Sequence, residues 1–356
     1  MKVLTVIGNR PQFIKAAAVS PRLRAHHEEL LVHTGQHFDD RLSAIFFAEL
    51  GLPAPDEQLA VALGSSTSQT ARMLTALEPV LERAAPDLVL VYGDTNSTLA
   101  GALAAAQAGI PVAHVEAGMR SFDRSMPEEL NRVLVDHASA LLLCSSDVAM
   151  SNLRREGVSG LTEMVGDVMV DVAVQAQARS RGRTDLVTAH GLKPGQYVLA
   201  TAHRAGNVDD PVRLERLVSL LGAMPLQVLL ALHPRTEARL RAAGMLDELR
   251  RASGVTVTEP LGYFELMALL CNARAVLTDS GGLQKEAYLA EVPCITMRPS
   301  TEWTETVEQG WNVLVDLDSE AALAAFDRAP PPTHPQLYGD GHAGERVVAA
   351  LTLLSP

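Results

Sequence analysis

Short, uninterrupted apolar runs alternate with longer amphipathic stretches along this chain, and the whole scheme is run through twice. In the first half KVLTVIG, LLVHTG, DLVLVYGD, IPVAHVEAG, ALLLCSS and EMVGD are rich in Val, Ile and Leu and stop at Gly, Asp or Ser. In the second half QYVLATAHR, LQVLLALHP, VTVTEPL, AVLTDSG, PCITMRP and WNVLVDL do the same. A strand that is apolar throughout, rather than at every second residue, belongs to a sheet covered on both faces. Between these runs lie stretches such as TARMLTALEPVLERAA and PEELNRVLVDHAS, whose apolar residues recur at helical spacing. Strand, helix, strand in series implies parallel sheets with right-handed crossovers. The expected fold is therefore α/β: two doubly wound Rossmann-like domains with a cleft between them, ligands binding at the carboxyl ends of the strands.

The length suits this division, since 356 residues are too many for one ordinary core. The boundary is expected after MVGDVMVD, where VQAQARSRGRTDLVTAHGLKPGQ mixes a polar helix with a Gly- and Pro-containing connection. This places an N-terminal domain at 1–168 and a C-terminal domain at 169–340. The last stretch, 341–356, reads as an amphipathic helix packing back on the first domain. A net charge of −12 argues against a nucleic-acid partner but leaves room for an anionic small ligand at local cations and helix N-termini. Cys144, Cys271 and Cys294 are odd in number, far apart and in apolar surroundings, the pattern of buried reduced thiols. No apolar run reaches the roughly 18 residues of a membrane span, so the expected location is the cytoplasm and no membrane partner is expected.

Polar residues gather where the apolar runs end. In VIGNRPQFIKAA a strand closes on Gly8, Asn9 is placed to cap a helix, and Pro11 fits its first turn. Arg10 and Lys15 then lie on the wrong side of the helix dipole unless an anion joins them or they point to solvent. In AVLTDSGGLQKEAYLA, Ser280, Gly281 and Gly282 join a strand to a helix and offer N–H groups to a diphosphate. Glu286, a turn deeper, can accept from both hydroxyls of a ribose; a plain tight turn with an incidental Glu explains the stretch equally well. Asp94 follows DLVLVYG, where capping the next helix would account for it. Glu116 has the equivalent place one strand later, and Glu128 and Glu129 open a helix behind Pro127. His203 with Arg204, and His233 with Arg235, follow the first two strands of the second half.

GNRPQFIKAAAV, VYGDTNST, HVEAGMRS, PEELNR, TAHR, LTDSGGLQKEA and RPSTEWTETVEQGWN occur in this order over nearly the whole chain. Together they resemble the non-hydrolysing UDP-N-acetylglucosamine 2-epimerase family. The resemblance implies a glycosyltransferase-B-type fold, a homodimer, no metal and no redox cofactor. It also implies interconversion of UDP-N-acetylglucosamine and UDP-N-acetylmannosamine by elimination of UDP to 2-acetamidoglucal and readdition, in the service of surface polysaccharide synthesis. Matched motif by motif, it puts Asp94, Glu116, Glu128 and His203 in acid/base or charge-stabilising roles. It puts Arg10, Lys15, Ser280, Gly281, Gly282 and Glu286 on the nucleotide sugar, with Arg235 a further candidate contact. The chain departs from the pattern at Trp303, where some members carry Arg in TERPE, and at Gly206, where Glu is common. It departs also at Leu261 and Leu266, in the expected uracil pocket, where others carry Gln and Phe. A UDP-linked diacetamido-uronate or 6-deoxy sugar stays open as substrate. A glycosyltransferase of the same architecture, a hydrolysing epimerase and a non-catalytic nucleotide-sugar sensor stay open as alternatives.

Overall fold

The computed structural model describes the chain except for residues 37–50, 60, 62, 63, 125, 181, 355 and 356 and the side chain of residue 10. It divides into two compact units, Met1–Val172 with Tyr338–Pro356, and Ala173–Leu337. The division falls inside a helix, Val168–Ser180.

The first unit is built on a parallel seven-stranded sheet: β1 (Lys2–Ile7), β2 (Glu28–His33), β3 (Glu57–Gln58), β4 (Leu88–Tyr92), β5 (Val112–Ala117), β6 (Leu141–Cys144) and β7 (Leu161–Met164). The strand order is β3-β2-β1-β4-β5-β6-β7, every pair parallel. The short edge strand β3 has no apolar run to announce it and exists through its pairing with β2. Val3, Leu4, Val6 and Ile7 of β1 and all of β4 are buried, as continuous apolar strands under helices on both faces must be. Helix α1 (Arg10–His26) starts as its sequence demands: Asn9 is the cap, its side chain accepting from Gln12 N, with Pro11 in the first turn. Helix α2 (Ser66–Ala84) lays Met73, Leu77, Val80 and Leu81 into the core. Helix α3 (Asn96–Gln107) is buried along most of its length, which its run of Ala and Gly permits. Helices α4 (Pro127–Ala138) and α5 (Asp147–Glu156) follow β5 and β6.

A terminal helix, Ala343–Leu351, belongs to this unit and packs on α1. Its own cap residue, His342, makes no side-chain capping bond. Asp171 does that work instead, its carboxylate accepting from Ala343 N at 2.9 Å and Gly344 N at 2.8 Å. Gly344 lies against the carbonyl of Ala18, so closely that a Cβ would collide with it.

The second unit has a parallel six-stranded sheet of β8 (Tyr197–Thr201), β9 (Gln227–Ala231), β10 (Val255–Thr258), β11 (Ala275–Thr278), β12 (Cys294–Thr296) and β13 (Asn312–Leu314). Its order is β10-β9-β8-β11-β12-β13. Both sheets therefore reverse direction of growth once, between β1 and β4 and between β8 and β11. In doubly wound sheets that switch point is where ligands bind, because the flanking loops part there. The loops so placed are Gly8–Asn9 and Gly93–Asp94 in one unit, and Ala202–Arg204 and Asp279–Ser280 in the other. Of the three cysteines, Cys144 and Cys294 are buried, and burial pushes each thiol up to about 12; Cys271 is only partly buried, against the expectation from its apolar neighbours. No disulfide joins any of the three.

Candidate active site

In the first unit the switch point collects charge. Lys15, on the second turn of α1, forms an ion pair with Glu116 at the end of β5, both side chains largely buried. Burial alone would push the Lys15 ammonium down. Glu116, Asp94 and Asp167 outweigh it, and the net direction is upward, so the cation is held. Asp94 follows β4 but does not cap α3; Thr95 does, in a reciprocal capping box with Thr98. Capping therefore does not account for Asp94. Its carboxylate accepts from Arg132 Nη2 at 2.8 Å, and Asn131 Nδ2 donates to its carbonyl at 2.9 Å. Burial raises the Asp94 carboxyl above the usual aspartate range; Lys15 and Arg132 pull it down, Glu116 and Glu128 push it up, and upward wins.

Glu116 sits in a backbone state that L-residues avoid, with φ +72°. The pairing of β5 with β6 slips at this point, between Val115 and Ala117, as at a β-bulge. Such a distortion re-aims a side chain at a strand end, here toward Lys15. Gly93, with φ +65°, forms the adjoining wall: a Cβ there would lie 3.1 Å from Lys15 Nζ and 3.4 Å from Glu116 Oε2. Only glycine both adopts this φ and leaves the pair its room.

The two glutamates that open α4 have different fates. Glu129 is buried and accepts from Ser121 N at 2.8 Å, Ser121 Oγ at 2.8 Å and Phe122 N at 3.0 Å. Burial opposes its ionisation, but these donors and Arg132 overcome that and hold its carboxyl below the ordinary glutamate range. It ties down the loop between β5 and α4. Glu128 is exposed at the helix start, and its charge is felt at Asp94.

In the second unit Ser280 caps the helix Gly281–Leu289, its hydroxyl accepting from Leu283 N at 3.4 Å. Gly281 and Gly282 form the first turn of that helix rather than a loop before it. Gly282 faces open space, where an added Cβ would meet only Ser280 Oγ, at 3.9 Å. At Gly281 a Cβ would collide with the Glu302 carboxylate, which Arg298 Nη1 holds at 2.7 Å. Trp303 donates its indole N–H to Gly281 O at 2.8 Å, and its ring lies under the Lys285 ammonium at 4.8 Å. Asp279, just before the turn and fully buried, accepts from the backbone N–H of His203 at 3.0 Å and of Arg204 at 3.0 Å, and from Asn207 Nδ2 at 3.1 Å. The His203 ring lies 3.4 Å from it through Nδ1 and stacks on His233. Glu286 is buried one turn into the helix. Leu261 and Leu266 are half-buried, before and within the helix Tyr263–Cys271. Arg235 is engaged with Asp209 in an exposed ion pair and stands apart from the Asp279–Gly282 turn in its hydrogen bonding. Arg10 opens α1, but its side chain lies outside the described residues.

The structure thus brings Lys15, Asp94 and Glu116 together, with Glu128 at their edge, and His203 beside the Ser280 turn. Sequence reasoning missed Arg132 and Asn131, which hold Asp94, and Asp279, which sets the His203 loop. It also missed a triad of His114, Asp136 and Arg120, joined through buried side chains, under the first site. One signal was available for Asp136: an acid in the last turn of a helix opposes the dipole and needs a reason. Among the described residues no group of three or more His, Cys, Asp and Glu has a metal-holding arrangement, and no helix is long and apolar enough to cross a membrane.

Two doubly wound parallel units, each with polar side chains at its switch point, define an α/β protein of the glycosyltransferase-B-like class. The family model described as UDP-N-acetylglucosamine 2-epimerase matches residues 22–352, and the chain belongs to that family. It is 45% identical over 366 residues to the UDP-2,3-diacetamido-2,3-dideoxy-D-glucuronate 2-epimerase of Pseudomonas aeruginosa, covering 99% of this chain and 100% of that one. It is 40% identical over 367 residues to the UDP-N-acetylglucosamine 2-epimerase of Methanocaldococcus jannaschii, covering 99% of both. The crystal structure of the Methanocaldococcus jannaschii UDP-GlcNAc 2-epimerase in complex with UDP-GlcNAc and UDP superposes with a TM-score of 0.88 at 39% identity, over 99% of this chain and 100% of that one.

Proposed function

We propose that this chain reversibly inverts C2 of a UDP-linked 2-acetamido sugar without hydrolysing it, with UDP-N-acetylglucosamine and UDP-N-acetylmannosamine as the interconverted pair. C2 of a hexosamine has no adjacent carbonyl, so a carboxylate cannot remove its proton directly. Loosening of the C1–O bond makes C2–H acidic: the proton goes to a side-chain base, the C1–O electron pair leaves with UDP, and 2-acetamidoglucal remains. Readdition of UDP with protonation on the other face of C2 completes the inversion. Protons and electron pairs balance among side chains, sugar and leaving group, so the reaction as written needs neither metal nor redox cofactor.

The observation that carries this reading is the Lys15–Glu116–Asp94 cluster at the first switch point. Two carboxylates share one buried cation, and burial raises Asp94. Acid/base pairs in enzymes are made by environments that push neighbouring groups apart in this way. Asp94, Glu116 and Glu128 are assigned the proton transfers and the charge at C1; neighbouring carboxylates titrate as a coupled set. In the second unit the Ser280–Gly282 turn and Glu286 are assigned the diphosphate and ribose, and His203 an acid/base or leaving-group role. A glycosyltransferase or a sensor has less use for this acidic cluster.

A second substrate, UDP-2,3-diacetamido-2,3-dideoxy-D-glucuronate, is favoured by the 45% identity to the Pseudomonas aeruginosa enzyme. Both sugars are to be incubated with the protein in deuterated water and followed at C2 by NMR. Deuterium at C2 with the UDP linkage kept, faster for UDP-N-acetylglucosamine, is the expected result. Faster exchange of the uronate reassigns the substrate; free sugar, or no exchange with either, refutes a non-hydrolysing epimerase.

A further inference from the structure

Beneath the acidic cluster lies an ionic network that touches none of the proposed reacting groups directly. His114, on β5, is fully buried. Its Nε2 lies 2.7 Å from the carbonyl oxygen of Gly93, and its Nδ1 lies 2.7 Å from Asp136 Oδ1. The other oxygen of Asp136 accepts from Gly118 N at 3.1 Å and from Arg120 Nη1 at 2.7 Å. Arg120 reaches on to Glu156, with contacts of 2.8 Å and 2.6 Å. Gly93 immediately precedes Asp94, and Gly118 follows Glu116 by two residues. Both glycines have positive φ, +65° and +78°. The two turns that carry the acid/base candidates are thus tied to a single carboxylate, one through the imidazole and the other directly.

The His114 ring thus spans the gap between Gly93 O on one side and Asp136 Oδ1 on the other. Helix α4 supplies the common frame. It gives Arg132 to Asp94, Asn131 to the Asp94 carbonyl and, one turn beyond Arg132, Asp136 to His114. A shift of the Gly93 turn would move Asp94 against Glu116, and with it the wall beside Lys15.

We propose that His114 is a positioning residue for the epimerisation, holding the Gly93–Asp94 turn in register with Glu116 by bridging Gly93 O to Asp136. This rests on the epimerase reading above. An Asn amide at position 114 takes the place of Nδ1 beside Asp136 but does not reach Gly93 O; a Gln amide takes the place of Nε2 and reaches Gly93 O. Misplacing a reacting group by about 1 Å costs on the order of 10²-fold in rate. His114→Asn is therefore expected to lower kcat by about 10²-fold while KM and UDP affinity stay within about twofold, and His114→Gln to recover most of that loss.

The test measures kcat, KM and C2 deuterium incorporation for wild type and both variants, with UDP affinity by calorimetry and melting by circular dichroism. Wild-type kcat in His114→Asn overturns the proposal. So does a parallel fall of kcat and UDP affinity in both variants, which marks a merely structural residue. Failure of the wild type itself to exchange C2–H overturns the epimerase reading instead, so the two failures are distinguishable.

Discussion

Replacing Lys15 by Met and Glu116 by Gly together is expected to abolish C2 exchange and yet cost the first unit less stability than Lys15→Met alone. Glu116 holds a left-handed backbone state, φ +72°, which costs a non-glycine residue about 1–2 kcal/mol and glycine nothing comparable. Its ion pair with Lys15 is largely out of water. Removing one member of such a pair costs about 3–5 kcal/mol because the other charge is left buried and uncompensated, a penalty that disappears when both members go. Lys15→Met alone should therefore destabilise by about 3–5 kcal/mol. Glu116→Gly alone should cost less, about 1–3 kcal/mol, because strain is relieved and Asp94 still faces the ammonium. The double variant should be more stable than Lys15→Met alone by at least about 1 kcal/mol, because it removes the stranded Glu116 carboxylate and its backbone strain together. Urea unfolding is followed by far-UV circular dichroism, with separate transitions allowed for the two units. Both tryptophans, Trp303 and Trp311, lie in the second unit, so their fluorescence is an internal control that should not shift. A double variant no more stable than Lys15→Met alone would refute the reasoning.

Gly282→Ala should leave the free protein as stable as wild type or slightly more so, since the Cβ meets nothing closer than 3.9 Å in a helical turn. If the turn holds the diphosphate as proposed, the same methyl should weaken UDP binding by crowding that ligand; calorimetry showing unchanged affinity removes this turn from the proposed site. Asp136→Asn should cost about 3–5 kcal/mol at neutral pH, as it leaves Arg120 and His114 facing a lost charge. Burial pushes the Asp136 carboxyl up, but His114 and Arg120 bring it below its ordinary value. A depressed carboxyl stabilises above its unfolded value, about 3.9, and that contribution fades as pH falls through the folded value. The gap in urea midpoint between wild type and Asp136→Asn should thus narrow below about pH 4; a gap constant from pH 7 to pH 3 contradicts the assignment.

Much of the architecture was readable from local pattern. The continuous apolar runs specify strands covered on both faces, and their alternation with helical periods specifies parallel, doubly wound sheets. Asn9 and Pro11 mark the start of α1 and Ser280 the start of its own helix, because caps are settled by the few residues around them. Local pattern failed at β3, whose two residues are strand only because β2 lies beside them. It failed also at Asp94, where Thr95 takes the cap and leaves the carboxylate to other partners.

Partnership across the fold was a different matter. Glu128 and Glu129 are adjacent in sequence and alike in chemistry, yet one is exposed near Asp94 and the other is buried under the β5–α4 loop. The helical turn between them, about 100° per residue, decides which way each points, and only packing of α4 on the sheet decides what each meets. Arg132 finds Asp94, His114 finds Asp136, and Asp279 finds the His203 loop across 38, 22 and 76 positions of chain. Residue identity made each of these pairs chemically available; strand register and helix docking selected them, because a hydrogen bond acts over about 3 Å while sequence distance carries no fixed length in a folded chain.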